Sequence, residues 1–351
     1  MDASLQCFSP YQACTSASST LASAQRLIFP ASKSFFHAIR LSIVRRSNIK
    51  SRSSVGYMEA QASFGLVETL QGQFKTEGIE VEKGRGGLPK LVLTESSGSQ
   101  AEIYVFGACI TSWRISSEKD LLFVRPDAVF NGQKPISGGI PHCFPQFGPG
   151  PIQQHGFARN SNWSVASCSN SSGIPSVVFE LTDNEYTRAM WNYAFLALYK
   201  VTLEPKKLST TLTIKNTDDK PFTFTTALHT YFSAMAAEVR VKGLKGCQTL
   251  DKVPNPINPV RGLEEREEVN FPGFVDCVYL DAPEELIMKN GLGDTISITN
   301  KSWSDAVLWN PHTNAPGEFY KEFVCVENAK FKPVLLEPGQ EWVAEQVFQV
   351  S

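Results

Sequence analysis

From Gly72 to the C-terminus the chain is written in short runs of alternating apolar and polar residues, and this pattern restricts it to sheet. Ser209-Thr210-Thr211-Leu212-Thr213-Ile214-Lys215 and Asp294-Thr295-Ile296-Ser297-Ile298-Thr299 show the period of two that puts every second side chain on one face. Comparable β-like runs follow one another, among them Lys90–Thr94, Glu102–Phe106, Leu196–Leu203, Phe222–Leu228, Ala306–Trp309, Phe323–Val326 and Trp342–Gln349. Turn chemistry separates them, as in Asn216-Thr217-Asp218-Asp219-Lys220-Pro221 and Asn290-Gly291-Leu292-Gly293-Asp294. One helix is expected, over Asn184–Ala194, with Asp183 or Asn184 as its cap. Strands do not alternate with helices, so the expectation is an all-β fold: one large antiparallel β-sandwich with one or two short helices.

Residues 1–56 differ in kind. They are rich in Ser, Ala and Thr, hold Asp2 as their only acid, and carry seven bases from Arg26 to Arg52. Such a composition marks an organelle transit peptide, with Ser content favouring the chloroplast stroma, and the alternative is a disordered basic tail. The expected organisation is a transit segment over 1–56, a linker over 57–71 and a single domain over 72–351; Met58 offers an internal start. Without its first 56 residues the chain has 26 Lys and Arg against 34 Asp and Glu. That acidic balance argues against nucleic acid as a partner, and an anionic substrate would need a local cationic pocket. No apolar run is long enough for a spanning helix. The eight cysteines form no CxxC pair or Cys/His cluster, which leaves buried reduced thiols and no metal site as the expectation.

Chemistry concentrates in one loop. Gly138-Gly139-Ile140-Pro141-His142-Cys143-Phe144-Pro145-Gln146-Phe147-Gly148 is followed by Gln154-His155-Gly156-Phe157-Ala158-Arg159-Asn160. Its prolines forbid regular helix, so the segment is a shaped loop presenting polar and aromatic side chains. His229 stands at the end of the Phe222–Leu228 run, and Glu327 follows Phe323-Val324-Cys325-Val326. Each has two readings: a hydrogen-bonded core imidazole or an acid for His229, and an exposed edge carboxylate or a desolvated base for Glu327. Glu264-Glu265-Arg266-Glu267-Glu268 reads as solvated loop charge. No nucleophile elbow, phosphate loop or dinucleotide fingerprint is present.

Taken together and in order, the Gly138–Gly148 and Gln154–Asn160 segments, Leu228-His229-Thr230-Tyr231-Phe232, Trp309-Asn310-Pro311 and Val324-Cys325-Val326-Glu327-Asn328 resemble the glucose-6-phosphate 1-epimerase branch of the aldose 1-epimerase (galactose mutarotase-like) superfamily. The resemblance spans about Gly72 to Val350. It implies a monomeric, cofactor-free isomerase of hexose 6-phosphates, with His229 as acid and Glu327 as base. It further implies Gln154, His155, Arg159 and Asp276 as substrate contacts, with Phe144, Trp309 and Tyr231 as apolar walls. One departure bears on substrate: Ser137 stands where members of this branch commonly carry arginine before Gly-Gly, so Lys134 or Arg125 would have to supply the phosphate contact. Cys277 is a second departure, at a position that is often basic. Two alternatives remain, a non-catalytic carbohydrate-binding or structural subunit of a plastid complex, and an epimerase of unphosphorylated aldoses.

Overall fold

The computed structural model describes residues 65, 67–116 and 119–351; the segment expected as a transit peptide, and Met58, lie outside them. The strands of the described residues form three sheets, and every ladder between them is antiparallel. A nine-stranded sheet runs in the order Glu268–Val269, Arg240–Lys242, Glu285–Lys289, Thr295–Lys301, Glu341–Val350, Lys207–Asn216, Phe195–Glu204, Ile174–Thr182, Ser164–Ser171. An eight-stranded sheet orders Val260–Leu263, Gln248–Asp251, Val275–Leu280, Asp305–Asn310, Phe323–Leu336, Phe222–Leu228 and His142–Cys143, with Tyr231–Ser233 also paired to Phe323–Leu336. The third sheet takes five strands between Ile79 and Asp120.

The two large sheets face each other across the principal core. Phe232 meets Phe348 at 5.0 Å, Phe224 meets Trp342 at 5.6 Å, and the His142 ring packs edge-on to Tyr199 at 4.2 Å. Period two explains which residues go inside: along Phe323–Leu336, Val324 and Val326 enter this core, while Phe323, Cys325, Glu327 and Ala329 turn to the opposite face. The strand is buried on both faces where the site lies, and it reads accordingly as a continuous apolar run interrupted by Glu327. Asn328 belongs to the core face, where its Oδ1 accepts a hydrogen bond of 2.7 Å from Gln346 Nε2 of the facing sheet.

Three expectations change in detail. The helix is Glu185–Met190, shorter than its pattern: Asn184 caps it with a reciprocal Thr187 bond, but Trp191 leaves helical geometry and buries against Phe222 at 4.7 Å. Residues 67–73 are helical, and Val67 and Leu70 join the core although they fall in the segment expected as linker. Glu264 is buried, not solvated, because Arg266 donates from Nε and Nη2 to its two oxygens at 2.8 Å each and Tyr279 donates a third bond.

Candidate active site

His229 follows the last residue of Phe222–Leu228, where the strand stops pairing with its neighbour. Leu228 lies opposite Asn328, so the next position reaches the level of Glu327. The Gly138–Pro141 loop fixes the turn: Pro141 O accepts from His229 N–H at 3.0 Å, and Gly139 O accepts from Tyr231 N–H at 2.8 Å. Gly139 makes this possible. Its φ is +67°, and a Cβ there would lie 2.0 Å from Ile110 O.

Glu327 projects from a central strand between Asp305–Asn310 and Phe222–Leu228, opposite Val307. It is 2% exposed and His229 is 8% exposed. Their facing atoms, His229 Nδ1 and Glu327 Oε1, are 3.2 Å apart. The contact is close but not aligned as a hydrogen bond, and Nδ1 and Glu327 Oε2 both remain without a partner in the protein. Each of these two neighbouring atoms is left able to take a hydrogen bond from a group outside the protein.

Aromatic rings enclose the pair. Tyr231 stacks on the His229 ring at 4.7 Å and Trp309 meets it edge-on at 5.6 Å. His155 closes another side at 5.7 Å, backed by Phe147 at 5.7 Å. His155 holds φ +67°, a costly conformation away from glycine, secured by two bonds to Gly148: its N–H donates to Gly148 O at 3.0 Å and its Nδ1 accepts from Gly148 N–H at 3.1 Å. Its Nε2 lies 3.4 Å from Gln154 Nε2. Arg159 Nη2 donates to Gln154 O at 2.9 Å, while its buried Nε has no partner. Cross-strand register extends the floor: Cys325 opposes Trp309, which opposes Asp276. Lys252 N–H bonds to Asp276 O, and its ammonium lies 3.7 Å from Asp276 Oδ1.

Burial sets the protonation of the pair. Loss of solvation pushes the Glu327 carboxyl well above the usual range, and the nearby Asp276 charge adds to the rise. Lys252 and Arg159 oppose it. The same burial drives the His229 imidazole well below its ordinary value, with His155, Arg159 and Lys252 acting in the same direction. His155 itself is pushed down to about 3, first by burial and then by Arg159 and Lys252. The resting centre is therefore a neutral imidazole against a carboxyl that is reluctant to ionise. Together they can hold one proton between them.

The aldose 1-epimerase family pattern matches residues 89–349, a stretch that contains every group just described. The chain belongs to the aldose 1-epimerase family. A protein of Cenchrus ciliaris named "Putative glucose-6-phosphate 1-epimerase" is 38% identical over 282 residues, covering 75% of this chain and 85% of that protein. One of the same name from Escherichia coli K12 is 31% identical and covers 68% and 82%. The chain also superposes on a crystal structure of a "putative mutarotase" from Salmonella typhimurium with a TM-score of 0.70 at 27% identity, covering 78% of this chain and 93% of that one.

His155, His229, Trp309 and Glu327 lie together, with Arg159 and Asp276 acting on the charge of Glu327. Gln154 is exposed and reaches the cleft through its contact with His155. Lys134 is exposed on the preceding loop, its N–H held by Asn131 Oδ1, and makes no contact with the pair among the described residues. Phe144 corrects the expected wall: it is 1% exposed and packs in the intersheet core against Phe195 and Phe224. Phe147 stands beside His155 in its place, with ring centres 5.7 Å apart. Lys252 and Cys325 escaped sequence reasoning. Only their registration across the sheet gives them away.

Proposed function

We propose that the protein interconverts the α and β anomers of a hexose 6-phosphate, with Glu327 and His229 exchanging protons with the sugar. The observation that carries this reading is the desolvated Glu327–His229 pair, 3.2 Å apart and unpartnered at the floor of an aromatic cleft. The reaction breaks and re-forms the C1–O5 bond. The one proton of the pair first passes from Glu327 to His229 across their 3.2 Å contact; the carboxylate then takes the proton of the C1 hydroxyl while the imidazolium delivers one to O5, and the open aldehyde rotates about C1–C2 and closes on the other face. Both oxygens sit on C1, so the groups that serve them must be neighbours. The proton count is unchanged over the cycle, which suits a pair sharing a single proton. Each correctly placed acid or base contributes ~10²–10⁴-fold. Tyr231 and Trp309 present apolar faces to a pyranose, and Gln154, His155 and Asp276 offer polar contacts to its hydroxyls.

The phosphate part rests on charge. Arg159 and Lys252 bear on His229 and Glu327, and Arg125 bears on Tyr231 and Cys325. Arg125 donates its backbone N–H to Ser137 O at 3.0 Å, adjoining the position where the branch commonly carries arginine. Its guanidinium lies 5.0 Å from the Phe319 ring centre and is paired to Asp127 by 2.9 and 2.7 Å bonds, which leaves its remaining N–H groups for a phosphate. Ser137 itself favours the second reading, an epimerase of unphosphorylated aldoses. Equilibration of α-glucose 6-phosphate and of α-glucose, followed by polarimetry, separates the two. Faster equilibration of the phosphate ester supports the first reading, equal or faster equilibration of glucose the second, and no acceleration of either overturns both. We assign the site of action to the chloroplast stroma from the composition of residues 1–56; import of a fluorescent fusion into isolated plastids tests it.

A further inference from the structure

We propose that His229, Cys325 and Glu327 form a binding site for a thiophilic divalent cation such as Zn²⁺, and that the cation switches the proton-transfer pair off. Sequence spacing gives no hint of this, since His229 lies almost a hundred residues before Cys325 and Glu327. In the fold their donor atoms all come within 4.8 Å of one another, with His229 Nδ1 and Glu327 Oε1 at 3.2 Å. Two of the three residues have buried polar atoms without partners, Nδ1 of His229 and Oε2 of Glu327. Cys325 is wholly buried and has no evident part in moving a proton on a sugar.

The donor set and its placement suit zinc. Cys325 and Glu327 are two apart on one strand and share its face, and His229 is held beside them by the Pro141 bond, so all three ligands come from fixed backbone. Ligand bonds of about 2.0–2.3 Å in a tetrahedron place donors roughly 3.3–3.8 Å apart; His229 Nδ1 and Glu327 Oε1 stand at 3.2 Å and no pair of the three donors exceeds 4.8 Å. Three protein ligands leave the fourth position for water from the cleft. An imidazole, a thiolate and a carboxylate form a borderline-soft set that selects Zn²⁺, Co²⁺ or Cd²⁺ over Mg²⁺. Charge also balances. As the S–metal and O–metal bonds form, the thiol and any protonated carboxyl release their protons to solvent, and the two anionic ligands neutralise the dication. A neutral complex is what a dry cleft flanked by Arg159 and Lys252 tolerates best. Metal occupancy takes both Nδ1 of His229 and the Glu327 carboxylate out of use. That consequence rests on the function proposed above; the binding does not.

The test uses the full chain freed of metal with a chelator and titrated with Co²⁺. The wild-type protein should develop the near-ultraviolet thiolate-to-cobalt absorption, with one cation per chain at saturation. Cys325→Ser should lose that band, and His229→Asn should weaken cobalt binding at least about tenfold; circular dichroism confirms that each variant is folded. In the activity arm, Zn²⁺ should inhibit wild-type equilibration competitively with the sugar, and Cys325→Ser should need at least tenfold more. Absence of the cobalt band in the wild type, or a band undiminished in both variants, overturns the site. If the wild type accelerates no sugar yet binds cobalt through Cys325, the functional reading fails and the metal site stands.

Discussion

At the scale of single residues the behaviour of Glu327 dominates. Its carboxyl is raised chiefly by burial, so ionising it in the native state costs free energy that the unfolded chain does not bear. Below the ordinary glutamate range both states are protonated; as pH rises towards the higher native value the unfolded state ionises first, and stability falls. Glu327→Gln should therefore raise the thermal midpoint at neutral pH while lowering the equilibration rate by ~10²-fold or more, measured by scanning calorimetry and polarimetry on one preparation. His229→Asn should give a comparable loss of rate. Asp276 adds to the Glu327 shift, so Asp276→Asn should move the acid limb of the pH–rate profile to lower pH. An unmoved limb in that variant would show that a different group titrates.

At the scale of elements, what matters is how loops are pinned to strands. Gly156 has φ +70°, and a Cβ there would fall 2.2 Å from Phe144 O. Gly156→Ala must shift the segment that carries His155 and Arg159. We expect a loss of ~1–3 kcal/mol from the backbone alone, seen as a lower urea midpoint, with a rate defect larger than the stability change explains. The Gln146 side chain bonds to Gly148 O at 3.1 Å and Ile152 O at 3.3 Å, bracing the same loop from within. Much of this level was legible beforehand. Phe222–Leu228 was readable residue for residue, and most strands of the two large sheets were readable to within a few positions, because alternation is a local property of half-buried strands. Strands such as Gln248–Asp251 and Val260–Leu263 were not. Val260–Leu263 is an exposed edge strand and carries no burial pattern to read.

At the scale of the whole molecule, three sheets share one core among the described residues, and the site lies on the outer face of the eight-stranded one. Phe348, fully buried on the Glu341–Val350 strand, stacks with Trp113 at 6.1 Å and meets Phe232 at 5.0 Å, joining all three sheets. Phe348→Ala should cost ~3–5 kcal/mol in denaturant unfolding, without altering the pH–rate profile of the molecules that remain folded. Every residue of the proposed site lies between Arg125 and Glu327, within the segment that carries the family pattern. Removal of residues 1–56 should accordingly leave the equilibration rate unchanged.

The sequence alone determined the sheet architecture, because a period of two needs only neighbouring residues to declare itself. It also determined the family, because motifs keep their order along the chain. The tertiary structure decided the state of the site. Whether Glu327 was an edge carboxylate or a buried base depended on which strands flanked its own. That Phe147 rather than Phe144 faces the cleft, that Lys252 stands beside Asp276, and that Cys325 completes a ring of donors all follow from register between strands distant in sequence. Desolvation is a property of what packs around an atom, and no local pattern in the chain records it.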